Sequence, residues 1–230
     1  GSLNPALGLT GIRLCLAEPV MFRTQMRAIL RAATHGPVRM MWPMITSVSE
    51  VRQCLIHLDT AQRQLAERGE TFGTVNVGCM IEIPSAAMTV GSILKLVDFI
   101  SVGTNDLIQY LLSVDRGDDS VSHLYQPGHP AVLKTLQHII RTANRMEKGV
   151  SICGEMAGDT VFTRLLLGMG LRRFSMNPNN LLSVKNIILH SHTGHLENDA
   201  AKILRCEDPE KTEKLIKILN QSEQAESQAV

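Results

Sequence analysis

A short apolar stretch that ends in polar residues is the feature that most constrains the fold of this chain. Residues 97–107 run from a nearly continuous apolar segment into Gly103 and Thr104, then present Asn105 and Asp106 where a helical pattern begins. This pattern is typical of a buried parallel strand followed by a helix. The aspartate can hold a divalent cation, and the amides at the helix start can hold an anion.

The same arrangement recurs elsewhere in the chain. The apolar run 75–81 leads to Glu82, and a further run ends at Cys153. Alternation of strand and helix patterns predicts a parallel α/β fold. Because a closed barrel needs eight strands, the sheet is either open or the C-terminal part of a barrel. We count five predicted strands, over 38–45, 75–81, 98–102, 150–153 and 173–176.

Local signals divide the rest of the chain. Ser47 and Glu50 form the capping-box pattern that opens a helix extending to about residue 68. We expect one domain over residues 1–220 and a polar, disordered tail over 221–230. Further helices are predicted over 22–33, 85–96, 107–114, 130–148 and 160–169, and one starting at Asp208.

The composition of the chain limits the binding partners and the cellular compartment that we expect. A formal net charge of +1 and an aromatic content of 3% give no reason to expect nucleic acid or an anionic membrane. The five scattered cysteines contain no Cys-x-x-Cys, which argues against a disulfide framework or zinc site and for a reducing cytoplasm. No apolar run is as long as a membrane span. We therefore expect a cytoplasmic protein.

Several stretches, taken in order over residues 4–219, resemble the phosphoenolpyruvate (PEP)-binding barrel of Enzyme I of the bacterial phosphotransferase system. The resemblance implies about five βα units from the C-terminal part of a PEP-utilising (β/α)8 TIM barrel, with parallel strands and helices outside. Pyruvate phosphate dikinase and PEP synthase share this barrel. The stretches that carry the resemblance are 4–8, 40–45, 78–84, 101–107, 114–116 and 153–159.

The resemblance also implies a reaction and a branch of the family. PEP and Mg²⁺ bind at the mouth of the barrel, and the phosphoryl group passes to a histidine on a separate N-terminal domain. A histidine phosphocarrier protein receives it next, while enolpyruvate is protonated to pyruvate. Residues 153–159 and 174–177 look most like the nitrogen-regulatory branch, whereas residues 123–127 look more like the sugar branch.

Five residues match the functional positions of the family. Glu82 and Asp106 are the expected magnesium ligands, since Mg²⁺ takes one or two carboxylates together with substrate oxygens and water. Asn105, Asp106 and Arg116 are the expected substrate contacts, because an amide and a guanidinium both donate to phosphate. Cys153 matches the acid of the family that protonates enolpyruvate. The structural alternatives are helix caps for the carboxylates and Asn105, a solvated Arg116 and a small buried Cys153.

The sequence departs from the family pattern in three respects. Thr10 stands where the family has an arginine, although Arg13 matches the second arginine of that motif. The chain also lacks counterparts of the first three barrel strands and of the phosphohistidine domain. We therefore expect the chain by itself to be inactive, and its uncovered strand edges to favour a homodimer. The alternatives are an impaired remnant that dimerises or binds a ligand, and a fragment of a dikinase or PEP synthase.

Overall fold

The computed structural model describes residues 4–227, and it describes side chains for residues 4–221. The chain divides into two compact units, with the boundary between Ile100 and Ser101. Within the described residues, no helix combines the length and apolar character needed to cross a membrane.

The first unit alternates helices with parallel strands. After a 3-10 turn at Pro5–Leu7, its elements are α1 (Ile12–Ala17), α2 (Pro19–Ala32), β1 (Val38–Trp42), α3 (Val48–Glu67), β2 (Val75–Ile81), α4 (Pro84–Met88), α5 (Val90–Leu94) and the start of β3 (Phe99–Gly103).

Strand pairing in the first unit is parallel and in register. Strand β1 pairs with β2 from Val38 opposite Val75 to Trp42 opposite Cys79. The Asp98 backbone amide donates to the carbonyl oxygen of Val77 at 2.8 Å, and the Val77 amide donates to Oδ2 of Asp98 at 2.9 Å. These two bonds fix the start of β3 beside the middle of β2.

The capping box predicted at Ser47 is confirmed. The amide of Glu50 donates to Oγ of Ser47 at 3.4 Å, and the amide of Ser47 donates to Oε2 of Glu50 at 3.2 Å. Helix α3 follows, and it buries residues spaced three or four apart, which is the period of an amphipathic helix. These residues are Val51, Cys54, Leu58, Ala61 and Leu65.

Three element boundaries in the first unit differ from the prediction. Helix α2 begins earlier, at Pro19, because proline is suited to the first turn of a helix. Strand β1 ends at Trp42, before Pro43, which has no amide hydrogen, and Met44, which has a φ of 57°. The helix predicted over 85–96 is two short helices, α4 and α5, separated at Thr89.

The second unit contains the end of β3 and most of the helices. After β3 come α6 (Thr104–Leu112), a 3-10 turn at Ser122–Leu124, α7 (Pro130–Arg145), β4 (Gly149–Cys153), α8 (Glu155–Gly158), α9 (Thr160–Gly168), α10 (Pro178–Leu189), α11 (Thr193–Leu204) and α12 (Pro209–Ser227).

The fifth predicted strand, over 173–176, is wrong as a strand. Only Phe174 pairs, in an isolated parallel bridge with Ile152 of β4. The extended segment stops because Asn177 caps α10 through a 3.0 Å bond from the amide of Asn179, with Pro178 in the first turn. The described residues therefore contain four strands and one bridge rather than five strands.

The tail has partly helical structure. Helix α12 continues past residue 220 to Ser227, while residues 228–230 lie outside the described part of the chain. The division into a domain over 1–220 and a disordered tail over 221–230 stays a prediction.

Candidate active site

A cavity of about 520 Å³ lies in the second unit at the ends of β3 and β4. Asn105 and Cys153, predicted from separate strand ends, both line it. The remaining lining residues come from α8, the bridge segment and the start of α10. They are Gly154, Glu155, Gly158, Ser175, Met176, Asn177, Asn179 and Asn180.

Two hydrogen bonds orient Asn105. The backbone amide of Glu155 donates to Oδ1 of Asn105 at 3.0 Å. The hydroxyl of Tyr125 donates to the backbone oxygen of Asn105 at 3.4 Å. Because Oδ1 already accepts a bond, the Nδ2 group is the end of the Asn105 amide that can donate to a ligand.

Gly154 makes this arrangement possible. Its φ is 93°, a conformation that residues with a Cβ atom rarely adopt. A Cβ at this position would lie 2.7 Å from Oγ1 of Thr104 and 2.8 Å from Oδ1 of Asn105. Glycine therefore allows β4 to turn closely against the residues that follow β3.

Thr104 links the two strand ends beneath the cavity. Its side chain is fully buried, and its Oγ1 donates to the backbone oxygen of Cys153 at 2.8 Å. Cys153 itself is half-buried, with Sγ 3.5 Å from the backbone oxygen of Val102. The position of the thiol in the cavity thus depends on bonds between β3 and β4.

Arg116 lies between two carboxylates. Its Nη2 is 4.0 Å from Oδ1 of Asp106, and its Nη1 is 3.7 Å from Oε1 of Glu155. The side chains of Arg116, Asp106 and Glu155 are 42%, 37% and 83% exposed, so these long ion pairs hold the guanidinium weakly. A ligand phosphate could take their place at little cost.

Tyr125 completes this charged group. Burial raises the pKa of Tyr125 to about 12, the Arg116 charge opposes the shift, and the carboxylates of Glu155 and Asp106 add to it. The hydroxyl therefore remains protonated at neutral pH and serves as a donor to Asn105.

The first unit holds the remaining predicted carboxylate. Glu82 follows β2, is only 7% exposed, and its Oε1 accepts a 2.7 Å bond from the amide of Met44. Near the N-terminus of the unit, Thr10 is exposed, while Nη1 of Arg13 donates to the backbone oxygen of Leu7 at 2.9 Å. Arg13 thus holds the turn at Pro5–Leu7.

Sequence reasoning found some of these residues and missed others. Asn105, Asp106, Arg116 and Cys153 lie in the second unit, and hydrogen bonds or ion pairs connect them to shared neighbours. The relation of Glu82 to them stays a prediction. The missed residues are Thr104, Tyr125, Glu155 and the three asparagines of 177–180. Of these, only Thr104, which directly precedes Asn105, carried a signal in the sequence.

Across the part of the chain that the structure describes, no three His, Cys, Asp or Glu side chains form a group that could hold a metal ion. A magnesium site needs no such group, since one or two carboxylates suffice when the substrate and water supply the other oxygens.

The chain belongs to the family of PEP-utilising enzymes, in their PEP-binding domain, because the sequence profile of that domain matches residues 2–193. The prediction of this family is confirmed. Among similar proteins are phosphoenolpyruvate-protein phosphotransferases. The one from Cupriavidus necator is 54% identical over 210 residues, which cover 91% of this chain and 36% of that protein. The one from Bacillus subtilis is 41% identical over 216 residues, covering 94% of this chain and 38% of that protein.

These comparisons set the scope of the assignment. The chain spans little more than a third of the length of both relatives. A crystal structure of a citrate lyase from Burkholderia xenovorans shares the fold, with a TM-score of 0.53 and 18% identity over 88% of this chain and 69% of that chain. The predicted parallel α/β fold is thereby confirmed.

Proposed function

We propose that this chain is the PEP-binding part of a phosphoenolpyruvate-protein phosphotransferase. It would bind PEP and Mg²⁺, present the phosphoryl group to a histidine on a separate domain, and protonate the enolpyruvate that remains. The observation that carries the proposal is the common cavity of Asn105 and Cys153. Arg116 pairs with Glu155 of its lining, and Asp106 pairs with Arg116.

Asn105 and Arg116 are proposed to bind the phosphate. The Nδ2 group of Asn105 would donate to one phosphate oxygen, and the guanidinium of Arg116 could donate to two. Phosphoryl transfer depends mainly on positioning and on stabilising negative charge, so a fixed amide and a weakly held guanidinium suit the task. As the P–O bond breaks and a P–N bond to the histidine forms, both groups would remain bound to the transferring phosphate.

Glu82 and Asp106 are proposed to hold Mg²⁺. Both are carboxylates that directly follow a strand or open the helix after it, and oxygen is the donor that this ion prefers. Bound Mg²⁺ would offset the charge of the substrate phosphate and carboxylate. The exposed Asp106 side chain keeps a weak ion pair with Arg116, which a stronger cation could replace.

Cys153 is proposed to complete the reaction. Loss of the phosphoryl group leaves an enolate, whose C3 carbon would take the proton from Sγ of Cys153 to give pyruvate. The resulting thiolate would regain a proton from water entering the open cavity. A thiol suits this role because its ordinary pKa of about 8.5 lies near neutrality.

The same proposal includes a protein partner, a homodimer and a cellular compartment. A histidine phosphocarrier protein would receive the phosphoryl group through the histidine-bearing domain. A homodimer is supported by the exposed leucines of α10, of which Leu182 is 77% and Leu189 is 71% exposed. The five cysteines form no disulfide among the described residues, which supports a reducing cytoplasm as the place of action.

Thr10 favours a second candidate, a ligand-binding remnant without turnover. Replacing the family arginine by threonine removes a charge and a two-pronged donor. Thr10 is exposed, and the Arg13 guanidinium donates to the backbone oxygens of Leu7 and Gly8. We expect Thr10→Arg to strengthen PEP binding roughly tenfold, as one charge-assisted hydrogen bond would.

Calorimetric titration of the chain with PEP and Mg²⁺ tests the proposal. We expect saturable binding that weakens at least about tenfold in Arg116→Gln and in Asp106→Asn. Arg145→Gln removes an exposed arginine that does not line the cavity, so it should leave binding unchanged. Absence of any PEP binding, in this chain and in Thr10→Arg, would contradict the proposal. Binding without phosphoryl transfer when a histidine-bearing domain is supplied would favour the remnant.

A further inference from the structure

A second cavity of the second unit, of about 510 Å³, has a character unlike that of the candidate active site. Helix α7, the end of α9 and helix α11 enclose it. Three cations and one carboxylate line it, in a chain whose overall formal charge is only +1. The charged lining residues are Lys134, Arg141, Glu197 and Arg205.

The cations reach the cavity from two sides. Lys134 and Arg141 lie seven residues apart on one face of α7, and Arg205 is the residue that directly follows α11. Lys134 is paired with Glu207 at the rim, with Nζ 2.7 Å from Oε1. Among residues 4–221, neither Arg141 nor Arg205 has an ion-pair or hydrogen-bond partner for its guanidinium. Two guanidinium groups without such partners therefore line the same cavity.

A buried acceptor lies between these charges. Gln137 stands between Lys134 and Arg141 on the same face of α7 and lines the cavity. Its Oε1 is buried and has no hydrogen-bond partner in the described residues. Burying an unsatisfied acceptor is unfavourable, so a donor supplied by a ligand would stabilise this position.

The floor of the cavity is closely packed. A Cβ on Gly168 would lie 2.4 Å from the backbone oxygen of Leu196 and 2.8 Å from Cβ of Ala200, so α9 and α11 meet here backbone to backbone. Gly170 follows with a φ of 95°. Close packing of this kind preforms the space, and its volume lies within the ordinary range for small-ligand sites.

We propose that this cavity is a second binding site, for a small organic phosphate or carboxylate that also carries a hydroxyl or amino group. The anionic group would lie between Arg141 and Arg205, which match such oxygens bidentately. The hydroxyl or amino group would donate to Oε1 of Gln137. The negative charge of Glu197 disfavours simple dianions. The site should therefore prefer ligands that carry a hydroxyl or amino donor beside their anionic group. The site is independent of the PEP site proposed above.

Titration of the ¹⁵N-labelled chain with inorganic phosphate at constant ionic strength tests the anion half of the site. We expect saturable shifts at the amides of Gly168 and Gly170. The double variant Arg141→Gln, Arg205→Gln should weaken this response at least about tenfold. Arg145→Gln, on the same helix but outside the cavity, should leave it unchanged. Both substituted arginines are exposed, and the same spectra report whether each variant folds.

Two further titrations test the donor half. Glycerol 3-phosphate should bind more tightly than propyl phosphate, which has the same carbon skeleton without hydroxyls, and Gln137→Leu should abolish that difference. Glu197→Gln should tighten phosphate binding. The proposal would be overturned if Gly168 and Gly170 show no saturable response, or if the double variant retains that response. This outcome does not depend on whether PEP binds at Asn105.

Discussion

Two buried cysteines of the first unit and Cys153 of the second unit have opposite environments. In the first unit, Cys54 and Cys79 are fully buried, and burial raises the pKa of both thiols, that of Cys79 to about 12. In the second unit, Cys153 is half-buried and lines the candidate active site. Cys79 lies inside β2, whereas Cys153 is the last residue of β4.

This comparison shows how position along a strand decides chemistry. A side chain inside a strand covered on both faces is packed among apolar neighbours, where a thiolate is disfavoured. A side chain at the carboxyl end of a strand lies at the edge where barrels of this kind bind their ligands. The same residue type therefore fills core space in one unit and is the proposed proton donor in the other.

Alkylation should give the largest contrast between these cysteines. In the native chain, iodoacetamide should modify Cys153 at least about 100-fold faster than Cys54 or Cys79, which must be exposed by unfolding first. Peptide mass spectrometry after timed quenching measures each rate. PEP with Mg²⁺ should slow modification of Cys153 but not of Cys206, which is also half-buried and lies outside the cavity. Equal protection of Cys153 and Cys206 would count against the site.

Gly154→Ala should have the next largest effect. The added Cβ would meet Thr104 and Asn105 at under 3 Å in a backbone conformation that alanine disfavours, so we expect a loss of about 1–3 kcal/mol in the free energy of unfolding. Urea denaturation measures it. The matched control is Gly194→Ala, where no atom lies within 4 Å of the new Cβ. If both variants lose the same stability, the close approach at Gly154 is unimportant.

Thr104→Val tests the hydrogen bond between the two strand ends and should have a smaller effect than Gly154→Ala. Valine keeps the shape but removes the 2.8 Å bond to the backbone oxygen of Cys153, at a cost of about 1 kcal/mol in the free energy of unfolding. Thr104→Ser keeps the hydroxyl and should retain both PEP affinity and the alkylation rate of Cys153. A serine variant that behaves like the valine variant would show that packing, not the hydrogen bond, positions the thiol.

Tyr125 should give the smallest effect, visible only in alkali. Its pKa is raised to about 12 in the folded chain from an ordinary value of about 10, so the folded state binds this proton more tightly than the unfolded state. Its contribution to stability is therefore complete below about pH 10 and is lost as the pH rises through about 12. Because the side chain is only half-buried, the change should be small.

Phenolate absorbance measures this titration directly. The chain has two tyrosines, Tyr110 and Tyr125, and Tyr125→Phe should remove one phenol with a midpoint near 12. Suppose instead that Tyr125→Phe removes a phenol that titrates near the ordinary value of about 10 and that Tyr110 keeps the midpoint near 12. The burial of Tyr125 against the charged group would then be wrong.

Local patterns explain which parts of the fold could be predicted. The strand over 75–81 and the capping box of Ser47 and Glu50 involve residues close in sequence, and both agree with the structure. The strand predicted over 173–176 failed because its extended residues find a partner only at Phe174 before Asn177 and Pro178 start a helix. Pairing partners are distant in sequence, so periodicity alone does not reveal them.

For the candidate site, the sequence by itself determined the residue types and their places at strand ends, since short apolar runs locate the strands and polar residues follow them. Asn105, Asp106, Arg116 and Cys153 could be named in this way. Only the tertiary structure decided which end of the Asn105 amide is available, because that depends on an amide donor fifty residues later, at Glu155. Likewise, the bond from Thr104 to Cys153 and the orphaned acceptor of Gln137 arise from packing between distant elements, which no local pattern encodes.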